Sequence, residues 1–375
     1  MHTENILLER IITERILRQG PLTVAEYMTL ALSHPGHGYY MKKDPLGRTG
    51  DFITAPEISQ MFGEMIAVWF TDIWLQSGKP AAVNLAELGP GRGTLAADIL
   101  RTLATWPDLK NAVTAHLVEI SPALQAKQKE TLQGQRVVWH DSIDSLPNGF
   151  CLIVANEFFD ALPIHQFEKR NGRWQEKCIG YDEKEASLHF VLQPPNIELE
   201  RFMPEAFLNA PEGSVFEISP ASLTVADVLS RRIAAQGGAA IFFDYGHARP
   251  GLGDTLQAVS HHSYADPLKR VGQCDITAHV DFATLGVVAS QHAHVHGPVT
   301  QGAFLADLGI AARAEKLCSQ ASTERRAGIT AAMHRLIAPQ GMGELFKVMA
   351  FTPKDAILNV AGFGASADEI SDNET

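Results

Sequence analysis

The sequence predicts an α/β protein built on a doubly wound, mostly parallel sheet, and three observations carry that reading. Between residues 84 and 140 the strand-like runs VNLAEL, TAHLVEI and RVVWH alternate with helical runs at 94–104 and 122–132, the pattern of repeated β–α–β units. Two further runs, CLIVAN at 151–156 and AAIFFDYG at 239–246, are apolar without alternation, as strands covered on both faces are. A turn rich in glycine, Gly89-Pro90-Gly91-Arg92-Gly93, joins the first strand to its helix. Residues without a side chain are needed where the chain turns sharply and a ligand approaches the backbone.

The remaining elements follow in chain order. Residues 5–33 repeat apolar positions at helical spacing (Ile6, Leu7, Ile11, Ile12, Ile16, Leu17, then Val24, Met28, Leu32), broken by Gly20-Pro21, so two amphipathic helices are expected. The stretch 34–57 is dense in Gly, Pro and His and has no periodicity; a connection that long reads as a functional loop. A helix is expected at about 56–77, with Pro56 where its missing N–H costs little. Residues 164–194 have hairpin character around Asn171-Gly172, a strong two-residue turn signal. A polar loop from His247 to Asp275 leads into alternating helix and strand signals that end at LFKVMAF, and the last dozen residues are acidic and small. The expected division is N-terminal helices and active-site loop at 1–80, a cofactor-binding half at 81–163, an inserted hairpin and helical subdomain at 164–236 that covers the cofactor site, the rest of the sheet with substrate loops at 237–355, and a flexible tail at 356–375.

Composition narrows the function classes. With 375 residues, 45% hydrophobic and 20% charged, the chain has the make-up of an ordinary globular protein. Its formal net charge of -12 repels phosphate backbones and anionic membrane surfaces, so neither nucleic acid nor membrane insertion is expected. Cys151, Cys178, Cys274 and Cys318 are widely separated, which suits neither a zinc knuckle nor a disulfide framework. The first 20 residues alternate Glu and Arg among Ile and Leu, unlike a secretory or transit segment, and the expected location is cytoplasmic. His292, His294 and His296 would share one face of a strand, but no carboxylate or cysteine lies in register with them, and no metal is expected.

The chemistry is concentrated at strand ends. In Glu87-Leu88-Gly89-Pro90-Gly91-Arg92-Gly93 the third glycine falls at 93 and position 94 is Thr, which departs from the dinucleotide fingerprint. A carboxylate at Glu87 repels a pyrophosphate and attracts the ammonium of a methionine moiety, and no Lys-Ser/Thr pair follows to make a P-loop. The cofactor expected is therefore S-adenosylmethionine, held by Glu87, Gly89, Gly91 and Gly93. Glu119 and Ile120 end the next strand, where an acid accepts hydrogen bonds from ribose hydroxyls; the other reading of Glu119 is a cap for the following helix. Asp141 and Ser142 follow the third strand, and Asp141 is either a partner for the adenine amine or a turn residue.

Asn156-Glu157-Phe158-Phe159-Asp160 sits at the carboxyl edge of CLIVAN, the edge where open α/β sheets bind ligands. Asn156 is assigned to the cofactor. Glu157 and Asp160, with two aromatic rings between them, suit a cationic acceptor. Asp51 and Glu57 in GDFITAPE are candidate partners from the long loop, and His247 after Asp244-Tyr245-Gly246 is either a base or a loop histidine.

These residues resemble the MidA family of class I methyltransferases. The likeness runs through GDFITAPEISQMFGEMIA at 50–67, ELGPGRGTL at 87–95, HLVEISPAL at 116–124, ANEFFDALPIHQF at 155–167, GDTLQAV at 253–259, DPL at 266–268, DITAHVDF at 275–282, TQGAFLADLGI at 300–310 and GMGELFKVMAF at 341–351. Within VGQCDIT at 271–277, Val271 and Cys274 differ from the family's usual proline and small residue. The resemblance implies a Rossmann-like class I methyltransferase with a seven-stranded sheet, N-terminal helices and an inserted α+β subdomain. It implies S-adenosylmethionine as methyl donor and an arginine in a core subunit of respiratory complex I, the NADH:quinone oxidoreductase, as acceptor. Arginine stays protonated and must be oriented and relieved of a proton as the methyl arrives, a task for Glu157 and Asp160. The competing readings are a non-catalytic assembly chaperone on the same fold and a methyltransferase of small molecules.

Overall fold

The computed structural model describes residues 2–42, 54–195, 204–260 and 263–364. The chain forms two compact units interleaved along the sequence, one of Met1–Phe52, Phe159–Val225 and Arg249–Asp281, the other of Ile53–Phe158, Ala226–Ala248 and Phe282–Thr375. This differs from the expected five-part division. The N-terminal helices and most of the expected insertion share a unit because they share a sheet: the two-residue strand Leu22–Thr23 pairs with Arg173–Asp182.

The larger unit carries the predicted sheet. Its strands are β1 (Val83–Leu88), β2 (Val113–Val118), β3 (Val137–His140), β4 (Cys151–Asn156), β5 (Gly238–His247), β6 (Ala293–Thr300) and β7 (Phe346–Pro353). Their spatial order is β6-β7-β5-β4-β1-β2-β3. The pairs among β1 to β5 are parallel, and only β7 runs against its neighbours β5 and β6. Strand β4 is buried at every position and β5 over its first seven residues, as their unbroken apolar runs require.

Local sequence sets where the helices begin. The helix expected at 56–77 is two: a short turn at Ala55–Ile58 and a long helix at Gln60–Gln76. Ser59 is extended between them and its hydroxyl accepts from the Met61 N–H, so it is an N-cap inside an otherwise continuous periodicity. Met61, Phe62, Ile66, Trp69, Phe70 and Ile73 of the long helix are buried in the sheet core, where Phe62 meets Phe243 of β5 edge to face at 4.9 Å. Pro122 opens the helix Pro122–Thr131, with the Ser121 hydroxyl accepting from the Leu124 N–H.

In the other unit an antiparallel sheet runs Leu22–Thr23, Arg173–Asp182, His165–Arg170, Val215–Ile218, with Ser187–Leu192 paired to Arg173–Asp182. The hairpin turns at Asn171 (φ 54°) and Gly172 (φ 71°), the left-handed pair that an Asn-Gly turn favours; both N–H groups donate to the Glu212 carboxylate at 2.8 and 2.6 Å. Leu8, Ile12 and Ile16 of the first helix and Val24, Tyr27, Met28, Ala31 and Leu32 of the second are buried with Ile179, Ile276 and the divergent Val271 and Cys274. A capping box at Thr23 and Glu26 starts the second helix.

One buried carboxylate braces the larger unit. Glu64 is 3% exposed and receives both Nε and Nη2 of Arg313, at 2.7 and 2.8 Å, and Nη1 of Arg101 at 3.2 Å. Burial pushes its carboxyl up, but the two guanidiniums outweigh burial and hold it below the ordinary value. A depressed carboxyl contributes stability above its unfolded pKa and loses it as pH falls through the folded one. Glu64→Gln should therefore lower stability by about 2 kcal/mol at pH 7, modest because Arg101 is half exposed. In denaturant titrations the difference should narrow as pH falls from the ordinary carboxyl value of 4.5 through the lower folded one; a difference unchanged in acid would contradict the assignment.

Candidate active site

From β1 the chain winds outward through β2 and β3, then returns to the far side of β1 as β4. The strand order reverses there, and the carboxyl ends of those two strands border the crevice where open α/β sheets take ligands. Every residue that the sequence assigned to the cofactor lies along that edge. Glu87 is in β1, Gly89 to Gly93 form its turn, Glu119 and Ile120 follow β2, Asp141 and Ser142 follow β3, and Asn156 ends β4.

The turn needs its glycines. Gly89, Gly91 and Gly93 have φ of 62°, 52° and 80°, the left-handed region where a side chain is strained. A Cβ on Gly89 would also stand 3.0 Å from the Phe158 ring. Gly93 is the N-cap of the helix Thr94–Leu103, so backbone N–H groups open toward the edge.

Two buried carboxylates face this turn. Glu87 is 4% exposed, and its Oε2 has no hydrogen-bond partner among the described residues. Burial pushes its carboxyl up to about 8, against a hydrogen bond from the Ala96 N–H and with help from the nearby Glu119. Glu119 is also buried; its Oε1 accepts from the Ser121 N–H at 2.8 Å and its Oε2 from Gln128 Nε2 at 3.2 Å. Burial pushes it up to about 7, against hydrogen bonds from Ser121, Gln128 and the Ile120 N–H. Ile120 is 49% exposed, an apolar surface next to that acid.

At the end of β4 the Asn156 amide donates to Glu157 Oε1 at 3.2 Å, and the buried Asn156 Oδ1 has no partner among the described residues. Glu157 has φ 50°, a conformation that costs a non-glycine residue about 1–3 kcal/mol and clusters at functional sites. Main-chain bonds hold it there: its N–H donates to the Phe243 carbonyl at 2.9 Å, and the Phe158 N–H donates to Asp244 Oδ2 at 3.1 Å. Asp244 is fully buried and also accepts from the Tyr245 N–H. Its anchoring of the 157–158 turn was not foreseen, because its partner lies 86 residues away.

The other candidates are dispersed. Glu57 accepts from the Thr94 hydroxyl at 2.5 Å and lies 3.8 Å from Arg92, so it is tied to the glycine turn. His247 ends β5, the neighbour of β4. Asp141 and Ser142 are exposed, and the Ser142 hydroxyl accepts from the Asp144 N–H as the cap of a short turn. Asp160 belongs to the other unit, where it is buried and its carbonyl accepts from the Ala278 N–H at 3.0 Å. Asp51 lies outside the described residues. His294 and His296 stack at 4.5 Å on β6, and His296 reaches the Thr352 hydroxyl at 2.8 Å. His292 precedes that strand and lies 3.3 Å from Asp227. Among the described residues no group of His, Cys, Asp and Glu is arranged to hold a metal.

Orphaned acceptors at Glu87 and Asn156, on the strands that flank the glycine turn, suit a ligand that brings donors and a positive charge. S-adenosylmethionine has both. Comparison with known proteins reaches the same chemistry. Residues 65–299 match a family described as "Putative S-adenosyl-L-methionine-dependent methyltransferase". Two curated relatives are the Protein arginine methyltransferase NDUFAF7 homolog, mitochondrial, of Drosophila melanogaster, 37% identical over 92% of this chain and 85% of its own, and the Protein arginine methyltransferase NDUFAF7, mitochondrial, of Mus musculus, 38% identical over 90% and 83%. The chain belongs to the MidA family of S-adenosylmethionine-dependent methyltransferases.

A crystal structure from Burkholderia thailandensis with S-adenosyl-homocysteine bound matches this MidA methyltransferase with a TM-score of 0.84 at 29% identity, covering 97% of this chain and 96% of that one. The enzyme is thus a Rossmann-like methyltransferase that uses S-adenosylmethionine. One expectation is corrected: a cytoplasmic location conflicts with relatives that are named as mitochondrial proteins. Composition and the first 20 residues misled there, since neither carries an address that charge alone can read. Among the described residues no helix is long and apolar enough to cross a membrane.

The raised carboxyl of Glu87 has a measurable consequence. An acid whose folded pKa exceeds its unfolded value costs stability as pH rises between the two. The ligand-free methyltransferase should lose stability between pH 4.5 and about 8, and Glu87→Gln should flatten that decline. An unchanged pH profile in the variant would show that Glu87 is ionised throughout.

Proposed function

We propose that this MidA methyltransferase transfers a methyl group to an arginine of a protein acceptor, a core subunit of respiratory complex I. The observation that carries the reading is Glu157, a carboxylate at the carboxyl edge of the sheet whose backbone is held at φ 50°. The arginine class is supported by the names of the curated relatives, and the complex I subunit by the family resemblance.

S-adenosylmethionine supplies the methyl on a positively charged sulfur. Glu87 receives the ammonium of its aminoacyl end, and Gly89, Gly91 and Gly93 let the backbone come close. Glu119 accepts from the ribose hydroxyls, a role its free lone pairs allow, since an ionised carboxylate has about four acceptor sites. Ile120 would lie against the adenine, Asp141 and Ser142 would meet its polar edge, and Asn156 would offer its orphaned Oδ1. Glu157 orients the guanidinium and takes its proton as the methyl is transferred. The hydrogen bond from Asn156 fixes the direction of the Glu157 carboxylate. Glu57 and His247 are the further acid–base candidates of that unit, and Asp160 and Asp51 are candidates on the sequence pattern alone.

Two outcomes follow. With S-adenosylmethionine and isolated complex I subunits from cells lacking the enzyme, mass spectrometry should find methylated arginine on one subunit. Glu157→Gln should lower that rate about 100-fold or more, with S-adenosylhomocysteine affinity little changed; no methylarginine on any subunit would sink the acceptor. Because the ammonium ionises Glu87, binding of S-adenosylhomocysteine at pH 7 should release on the order of one proton. Calorimetry in buffers of different ionisation heat reads this, and Glu87→Gln should remove most of it, leaving the part that Glu119 contributes.

A further inference from the structure

We infer that Gln128 is the positioning residue of the cofactor site, the side chain that ties the glycine turn to Glu119 and sets the direction of both. The inference rests on the proposed roles of that turn and of Glu119, and goes beyond them in naming what holds them together. Gln128 lies on the helix Pro122–Thr131 and is fully buried. Its Nε2 donates to the Gly91 carbonyl at 2.8 Å and to Glu119 Oε2 at 3.2 Å, and its Oε1 accepts from the Trp139 indole at 2.9 Å.

The three bonds form a directed set. An indole N–H can only donate, so Trp139 on β3 fixes which end of the Gln128 amide is oxygen. The NH2 group then has two hydrogens for two acceptors, one on the turn after β1 and one on the acid after β2. Packing closes the arrangement: a Cβ on Gly93 would stand 3.4 Å from Gln128 Cγ, so the glutamine stem lies against the turn itself. Gln128 has no exposed surface, so its loss would leave the buried Glu119 short of a donor and would cut the ties to Gly91 and Trp139.

This role has a signature that simple core packing lacks. The amide bond to Glu119 favours its charged form, against the burial that raises it to about 7. Ribose hydroxyls bind better to the ionised acid, so affinity for S-adenosylhomocysteine rises as pH increases through that value. Removing the donor moves the rise to higher pH.

The experiment is calorimetric titration of S-adenosylhomocysteine into the full-length wild type and the Gln128→Leu, Trp139→Phe and Glu119→Ala variants from pH 6 to 9, with thermal unfolding to check each fold. Gln128→Leu should bind about tenfold or more weakly at pH 7, with its pH profile displaced upward. Trp139→Phe, which frees the amide to flip, should shift the same way by a few-fold and decides the matter if the leucine variant does not fold. Wild-type affinity in Gln128→Leu, or a loss equal at every pH with Trp139→Phe unaffected, would overturn the inference while Glu119→Ala still bound poorly. Undiminished binding by Glu119→Ala would instead overturn the reading of the site on which the inference rests.

Discussion

Two carboxylates that the fold keeps out of water, Glu87 and Glu119, are the constraint around which the larger unit is organised. Burial disfavours their charged forms, and an unpaired buried carboxylate costs several kcal/mol unless it takes up a proton or finds a cation. The parallel sheet brings them together because β1 and β2 are adjacent and end in register, Leu88 against Val118. In the arrangement proposed above, a methyl donor that carries an ammonium and two hydroxyls would satisfy both acids at once.

The end of β4 is shaped by backbone means. Glu157 adopts a conformation that favours glycine, and it does so because the Phe243 carbonyl and the Asp244 carboxylate capture the N–H groups of residues 157 and 158. Strand β5 therefore supports the residue that β4 presents. Such strain survives only where neighbours over-determine it, and the direction it gives the Glu157 side chain is the reason to look there for acceptor chemistry.

Much of this was legible in the sequence, for reasons that differ by element. CLIVAN reads as a buried strand because an unbroken apolar run of that length has few other uses, and the strand has those bounds. Asn171-Gly172 reads as a hairpin because few other pairs accept two left-handed residues. The break at Ser59 was missed because the apolar period continues across it and only the cap interrupts the helix. The two-unit division was missed because it hangs on a two-residue strand, too short for any periodicity. Gln128 escaped notice, and so did the anchoring role of Asp244, because each acts on partners brought near only by folding. Asp141 and Ser142, by contrast, stand where expected but are exposed, with Ser142 acting as a turn cap.

The most direct test of this account is a crystal structure of the protein with S-adenosylhomocysteine. The account predicts the ammonium at Glu87 Oε2, the ribose hydroxyls at Glu119, and the turn from Gly89 to Gly93 unmoved, since its backbone is already shaped for close approach. A ligand seated away from both acids, or a turn that must refold to admit it, would contradict the claim that buried charge at the ends of β1 and β2 defines the site.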